Sequence, residues 1–132
     1  MGVDLNLLID TSTLIWATSS PLRLTEVARS SLGDPTNEIF VSAASAWEIA
    51  TKHRLGRLPQ AQPLVDDWNE QLAHGGFKPL DIIPRHALHA GAYDVAHADP
   101  FDRIIAAQAD VEEMVLVASD RAFDLFPVTR LW

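Results

Sequence analysis

Acidic side chains in this sequence stand directly after, or just inside, short apolar segments. They are Asp10 in LLIDTSTLIW, Glu48 in SAWEI, Asp99 and Asp102 in DPFDRIIAAQ, and Asp120 in LVASDRAF. Carboxylates in such places can move protons, cap helices or bind a hard divalent cation such as Mg²⁺. Which of these roles applies depends on whether the fold brings the acids together.

Three of the acids also fit ordinary helix chemistry. Asp10 and Asp120 each precede a helical pattern, where Asp is a preferred N-cap residue. Glu48 fits a capping box with Ser45, or an ion pair with Lys52 one helical turn later. Each of these structural readings, taken singly, competes closely with a catalytic one.

The segment DPFD is itself a helix-start signature. Asp99 is predicted as the N-cap, Pro100 occupies the first helical position, and Asp102 at the third is favoured by the helix dipole. The two aspartates are therefore expected to do different jobs: Asp99 caps, while Asp102 can point past the helix end.

The elements that must position these acids alternate between strand and helix. Short runs rich in β-branched and other apolar residues predict strands at 3–9, 38–43, 77–83 and 114–119. Helical patterns cover 11–19, 25–32, 44–55, 62–74, 85–93 and 101–112, with a short one at 120–125. This alternation predicts an α/β fold with a mainly parallel central sheet of four to five strands and helices on both faces. The closing FPVTRLW can supply the fifth strand at an edge, where Pro127 is tolerated.

In a parallel sheet, side chains that follow the strands meet at the carboxyl edge. Carboxylates from four remote segments are therefore expected to converge, and like charges so close destabilise a fold unless a cation compensates. Mg²⁺ or Mn²⁺ suits an all-oxygen set. Zinc is disfavoured, because the chain has no cysteine and His86-x-x-His89 lacks an evident third ligand, so that pair is interpreted as packing. His97, close to Asp99, is a candidate for supporting the site from behind.

Length and composition set the outer bounds. A chain of 132 residues that is 48% hydrophobic predicts one compact domain, 1–132, with a single core. A net charge of −8 argues against gripping nucleic acid by bulk electrostatics. The start, MGVDLNLLID, has no basic region, and no apolar run approaches the ~18 residues of a membrane span. We therefore expect no membrane association and a cytoplasmic location.

Four segments in this order carry a family resemblance: LLIDTSTLIW, VSAASAWEIATKHRLGRL, HADPFDRIIAAQA and LVASDRAFDLFPVTRLW. Over nearly its full length the sequence resembles PIN-domain ribonucleases, specifically the toxins of VapBC-type toxin–antitoxin pairs. By motif position, the family's acidic residues fall on Asp10, Glu48, Asp102 and Asp120. The resemblance implies Mg²⁺-dependent endonucleolytic cleavage of RNA, a homodimer, and a cognate VapB-like antitoxin that inhibits the site.

Contacts to the RNA substrate are a separate expectation. Many close relatives carry His two residues after the first Asp, and the resemblance makes Ser12, which stands there in this chain, a candidate for substrate contact. The other candidates are Lys52, Arg103 and Arg121. Arg103 and Arg121 each follow a predicted ligand and could instead orient its carboxylate by bidentate pairing.

Two alternative functions stay open at this stage. The chain could be a catalytically inactive PIN-like binding module, or another Mg²⁺-dependent acidic-site phosphohydrolase. Trp16, Trp47 and Leu14 are expected in the core. The segment LPQAQPLVDDWNEQL, 58–72, has apolar residues at helical spacing and fits either the core or an exposed groove that receives an antitoxin helix.

Overall fold

A five-stranded, fully parallel sheet forms the centre of the computed structural model, which describes residues 4–132. In chain order the strands are β1 Asn6–Ile9, β2 Glu38–Ser42, β3 Phe77–Leu80, β4 Val115–Val117 and β5 Arg130–Leu131. Their spatial order is β3-β2-β1-β4-β5, with β1 in the middle. Every neighbouring pair is parallel. The predicted α/β class and parallel sheet are confirmed.

Helices connect the strands, as parallel pairing requires. Within residues 4–132 the α-helices are α1 Thr11–Ser19, α2 Glu26–Gly33, α3 Ala43–Arg54, α4 Gln62–Asp66, α5 Trp68–Gly75, α6 Pro84–Ala92 and α7 Pro100–Val111. Three short 3₁₀ turns cover Pro21–Arg23, Pro59–Ala61 and Arg121–Leu125. None of these helices has both the length and the apolar character that crossing a lipid bilayer requires.

The structure corrects several predicted boundaries. The helix expected at 62–74 is two helices, because Asp67 (φ −134°, ψ 52°) is not helical and ends α4 before α5 begins. The segment expected as a helix at 120–125 is a 3₁₀ turn. The first strand begins at Asn6, and residue 3 of its predicted range lies outside the described residues. Strand β4 ends at Val117, three residues before Asp120.

Alternation along the strands sends side chains into two apolar layers. Leu7 and Ile9 pack with one cluster, which includes residues of α1, α2, α4 and α5. Leu8 packs with the other, which is built largely from α7 and the segment after β4. Both faces of the sheet are therefore covered, and the buried strands lack a polar face, as expected for a parallel sheet with helices on each side.

The expected core residues divide three ways. Leu14 is fully buried, and Trp16 is half-buried against the first layer. The prediction for Trp47 is wrong, since its side chain is 65% exposed. In the segment 58–72, Leu64 and Leu72 are core residues, so that surface does not form a continuous apolar groove.

Candidate functional site

Asp10 lies at the carboxyl end of β1, the middle strand, where it is buried and also caps α1. Its amide donates to the carbonyl of Val117 (3.1 Å), which continues the pairing of β1 with β4. Its Oδ1 accepts from the amide (2.9 Å) and the hydroxyl (2.5 Å) of Thr13. Both bonds use Oδ1, so the cap leaves Oδ2 for another partner. The predicted cap is confirmed, and it is compatible with a second role for the same carboxylate.

Glu48 reaches the same edge from the second turn of α3, and its side chain is buried. Lys52 Nζ donates to Glu48 Oε2, so the predicted ion pair one turn apart is formed. The predicted capping box is wrong: Ser42 caps α3 by accepting from the Ala44 amide, and Ser45 shares a hydrogen bond with the Thr11 hydroxyl (2.9 Å). The other oxygen, Oε1, is buried without a hydrogen-bond partner among residues 4–132.

The two aspartates of DPFD divide their roles as predicted. Asp99 Oδ1 accepts from the amides of Phe101 (2.9 Å) and Asp102 (3.1 Å), which makes it the N-cap of α7. The Asp102 carboxylate is half-buried, and its Oδ2 accepts from His97 Nε2 (2.9 Å). Because that bond uses one oxygen, Oδ1 of Asp102 stays available at the site.

Mutual repulsion shows that Asp10, Glu48 and Asp102 share one electrostatic environment. Burial raises the pKa of Asp10 to about 6; the bonds from Thr13 oppose this, and the charges of Asp102 and Glu48 add to it. Burial also raises the pKa of Asp102, with the His97 hydrogen bond opposing and the charges of Asp99 and Glu48 adding. The fold therefore holds the carboxylates of Asp10 and Asp102 where their charged forms are unfavourable.

Asp120 stands apart from this group. It is exposed, and its Oδ1 accepts from the Ala122 amide (2.9 Å), so it caps the 3₁₀ turn Arg121–Leu125. The charges that raise the pKa of Asp10 are those of Asp102 and Glu48. The structure thus brings together three of the four predicted ligands, and Asp120 as a ligand stays a prediction.

Arg103 has a structural task that sequence reasoning missed. Its guanidinium donates to the carbonyls of Ala90 (3.0 Å), Val95 (3.4 Å), His97 (2.9 Å) and Tyr93 (2.6 Å). The predicted pairing with a carboxylate is therefore wrong, and this arrangement does not support an RNA contact. The clamp ties segment 90–97 to α7 and so holds His97 against Asp102.

The remaining substrate candidates lie at the rim. Ser12 is exposed on the first turn of α1, and Arg121 is exposed at the start of the 3₁₀ turn. Lys52 is half-buried in its pair with Glu48. Contact of these three residues with RNA stays a prediction.

The carboxylate set fits a hard cation. A bound divalent cation would give the unpartnered buried oxygen of Glu48 a partner and would compensate the charges that raise the pKa values of Asp10 and Asp102. Among residues 4–132, however, no three His, Asp or Glu side chains are gathered closely enough to form a ready-made cage. Mg²⁺ tolerates this, since it is often bound by one or two carboxylates and keeps several waters.

The histidine pair His86 and His89 bonds to acids outside the candidate site. His86 accepts from the Ile83 amide (3.2 Å) and bonds Glu112 (2.9 Å), while His89 bonds Asp110 (2.7 Å). The interpretation of this pair as packing is supported.

A cavity of about 400 Å³ lies among α1, α2 and α5, lined by residues such as Arg29 and His74, and none of the site acids lines it.

Comparison with known proteins agrees with this architecture. The sequence model of the PIN domain matches residues 7–128. Ribonuclease VapC16 of Mycobacterium tuberculosis (strain ATCC 25618 / H37Rv) is 39% identical over 64 residues, which make up 48% of this chain and 45% of that protein. The match thus spans less than half of the relative's length.

Solved structures show the same fold at low sequence identity. The crystal structure of VapBC2 from Rickettsia felis, bound to a DNA fragment from its promoter, aligns with a TM-score of 0.60 at 14% identity, covering 96% of this chain and 98% of that one. FitAcB from Neisseria gonorrhoeae aligns with a TM-score of 0.58 at 19% identity, covering 96% of each chain. At these identities the likeness concerns the fold alone.

Proposed function

This chain belongs to the PIN domain family, and from that membership and the geometry of its acidic edge we propose that it is a Mg²⁺-dependent endoribonuclease. The observation that carries the proposal is the convergence of Asp10, Glu48 and Asp102, with Glu48 Oε1 buried and unpartnered in the described chain. The named relative is a ribonuclease, which agrees with RNA as the substrate.

Each side chain of the site has a distinct part in this proposal. Asp10 and Asp102 hold the metal with the oxygens that their caps and hydrogen bonds leave free. Glu48 supplies the third carboxylate, and Lys52 orients it. Asp120, at the exposed rim, would act on the metal through water rather than as a direct ligand. Mn²⁺ can replace Mg²⁺, because both prefer oxygen ligands.

The chemistry is hydrolysis of a phosphodiester bond. When bound, Mg²⁺ supplies a Lewis acid that neutralises charge on phosphoryl oxygens and acidifies water. Glu48, whose Oε1 has no hydrogen-bond partner among residues 4–132, would take the proton from the attacking water. His97 keeps the Asp102 carboxylate in place through its 2.9 Å bond, and the Arg103 clamp keeps His97 in place.

The biological role follows from the relatives. We propose that the protein is the toxin of a type II toxin–antitoxin pair, that it forms a homodimer, and that a VapB-like antitoxin inhibits it. The M. tuberculosis relative is named as a VapC ribonuclease, and the R. felis neighbour is a VapBC complex. Growth arrest on expression of the wild type without an antitoxin, relieved by Asp10→Asn, is the expected phenotype.

Cleavage of RNA in vitro tests the enzymatic proposal. Wild type should cleave with Mg²⁺ and stop with excess EDTA. Asp10→Asn should lose at least about 10²-fold in rate, the scale of removing a preorganised electrostatic group. Asn is the informative substitution, because it caps a helix about as well as Asp and so preserves the bonds from Thr13. Full activity of wild type in EDTA, or of Asp10→Asn in Mg²⁺, would contradict the proposal.

A further inference from the structure

An aromatic pair, with an exposed Trp47 and a half-buried Phe101, stands beside the acidic residues in the sequence. Trp47 and Phe101 form an edge-to-face contact with ring centroids 4.8 Å apart. Trp47 immediately precedes Glu48 on α3, and Phe101 immediately precedes Asp102 on α7. The indole is 65% exposed although it belongs to one of the largest apolar side-chain types. Large apolar side chains are usually buried, so the exposure of this ring beside polar residues indicates a binding role.

Trp47 has no large apolar neighbour one helical turn before or after it on α3. Ala43 and Ala50, one turn before and one turn after it, are exposed and small. A helical protein partner would be expected to meet a row of large apolar residues at this spacing. A single planar ligand needs only one aromatic ring, and Trp47 is an exposed ring of this kind.

Charge gives a second reason to expect an uncharged contact here. The chain carries a net charge of −8, and two of the cations near the acids already have partners. Lys52 is paired with Glu48, and the Arg103 guanidinium donates its hydrogen bonds to four backbone carbonyls. A polyanionic substrate must therefore gain much of its affinity from contacts other than salt bridges. Base–aromatic stacking is such a contact, and it contributes about 1–3 kcal/mol per base.

We propose that Trp47, buttressed by Phe101, binds single-stranded RNA by stacking against a base adjacent to the phosphodiester that is cleaved at Asp10, Glu48 and Asp102. The proposal rests on the proposed ribonuclease function and adds the form of the substrate to it. Bases of a duplex are already stacked on each other, so a stacking platform selects an unpaired loop or strand. Trp47 is thus assigned as a substrate-binding residue.

Cleavage kinetics on a single-stranded RNA of mixed sequence test this assignment in the full-length chain. Trp47→Ala should raise KM about 5- to 150-fold, the equivalent of 1–3 kcal/mol of lost stacking, at an unchanged kcat. Trp47→Tyr should keep most of the affinity, because it retains a π-face, whereas Trp47→Leu should behave like Trp47→Ala. Leu22→Ala is the matched control, since Leu22 is 87% exposed on the turn after α1.

A binding measurement separates this proposal from the function on which it rests. In Ca²⁺, used in place of Mg²⁺ to permit binding without turnover, the same RNA should quench tryptophan emission of wild type. The chain has four tryptophans, so the difference between wild type and Trp47→Tyr isolates the signal of Trp47. Quenching confined to wild type supports stacking even if the RNA is never cut, which would refute only the nuclease.

Three outcomes would overturn the proposal. The first is a wild-type KM for Trp47→Ala, or recovery by Trp47→Leu, which would indicate plain apolar burial. The second is a fall in kcat at constant KM. The third is unchanged RNA affinity combined with weaker binding of the proposed VapB-like antitoxin, which would make the ring pair a protein-binding surface.

Discussion

Replacing each aspartate of DPFD by asparagine in turn should separate metal binding from helix capping. Asp99 caps α7 through two amide bonds to its Oδ1, and Asn can accept the same bonds. The Asp102 side chain does not cap the helix. Its carboxylate bonds His97 and lies within the electrostatic influence of Glu48. Asp99→Asn should therefore keep the response to Mg²⁺, and Asp102→Asn should lose it.

The size of the response follows from linkage. A ligand at 100 times its dissociation constant adds about 2.7 kcal/mol to the free energy of unfolding. For a chain of 132 residues, an unfolding entropy of about 2.1 cal/mol/K per residue converts 1 kcal/mol to roughly 3.6 °C. Wild type and Asp99→Asn should thus gain about 10 °C in Tm under those conditions. Without metal, Asp102→Asn should melt above wild type, because one of the mutually repelling charges is gone.

Thermal melts with and without Mg²⁺, followed by circular dichroism, measure both effects. Asp99→Ala serves as the capping control: it should lose about 0.5–2 kcal/mol of stability while keeping its response to Mg²⁺. The reasoning is refuted if Asp99→Asn loses the Mg²⁺ response and Asp102→Asn keeps it.

Three further predictions concern the groups around the site. The raised pKa of Asp10, about 6 against 3.8, means that the native state holds a proton between those values and the unfolded state does not. The metal-free protein should therefore lose on the order of 2 kcal/mol of stability as pH rises from 4 to 6 relative to Asp10→Asn, and urea titrations showing no such pH-dependent difference would contradict this. Arg103→Lys removes a planar guanidinium that donates to four carbonyls. It should lower the free energy of unfolding in urea by about 2–4 kcal/mol, whereas the control Arg121→Lys should change it little. Equal stability of the two variants would show that the clamp is unimportant. Lys52→Met leaves Glu48 buried without its cation and should cost about 1 kcal/mol in the absence of metal, a loss that Mg²⁺ should reverse; a loss that Mg²⁺ leaves unchanged would argue that Glu48 is not part of the metal site.

Much of the fold could be predicted from sequence because its signals are local. Apolar runs of strand length alternate with helical patterns, and DPFD combines an N-cap with proline at the first helical position. The predicted helix 62–74 failed because apolar spacing continues through Asp67 while its backbone does not. Periodicity records which face is buried, and it does not register one non-helical residue between two short helices.

The candidate site was less accessible to sequence reasoning. Convergence of Asp10, Glu48 and Asp102 follows from topology, since all three lie at the carboxyl edge of parallel strands. The Arg103 clamp could not be foreseen, because its acceptors are backbone carbonyls that leave no trace in the residue types of 90–97. The exposure of Trp47 could not be predicted either, because a large apolar side chain is expected in the core unless it binds a ligand at the surface.

Locating the metal directly is the decisive measurement. In crystals soaked with Mn²⁺, the anomalous difference map should show a peak about 2.1 Å, the distance typical of Mg²⁺ sites, from oxygens of Asp10 and Asp102, with Glu48 beside it. The peak should be absent in Asp102→Asn crystals soaked in the same way. A peak that lies away from Asp10 and Asp102, or that persists undiminished in Asp102→Asn, would contradict the account of this site.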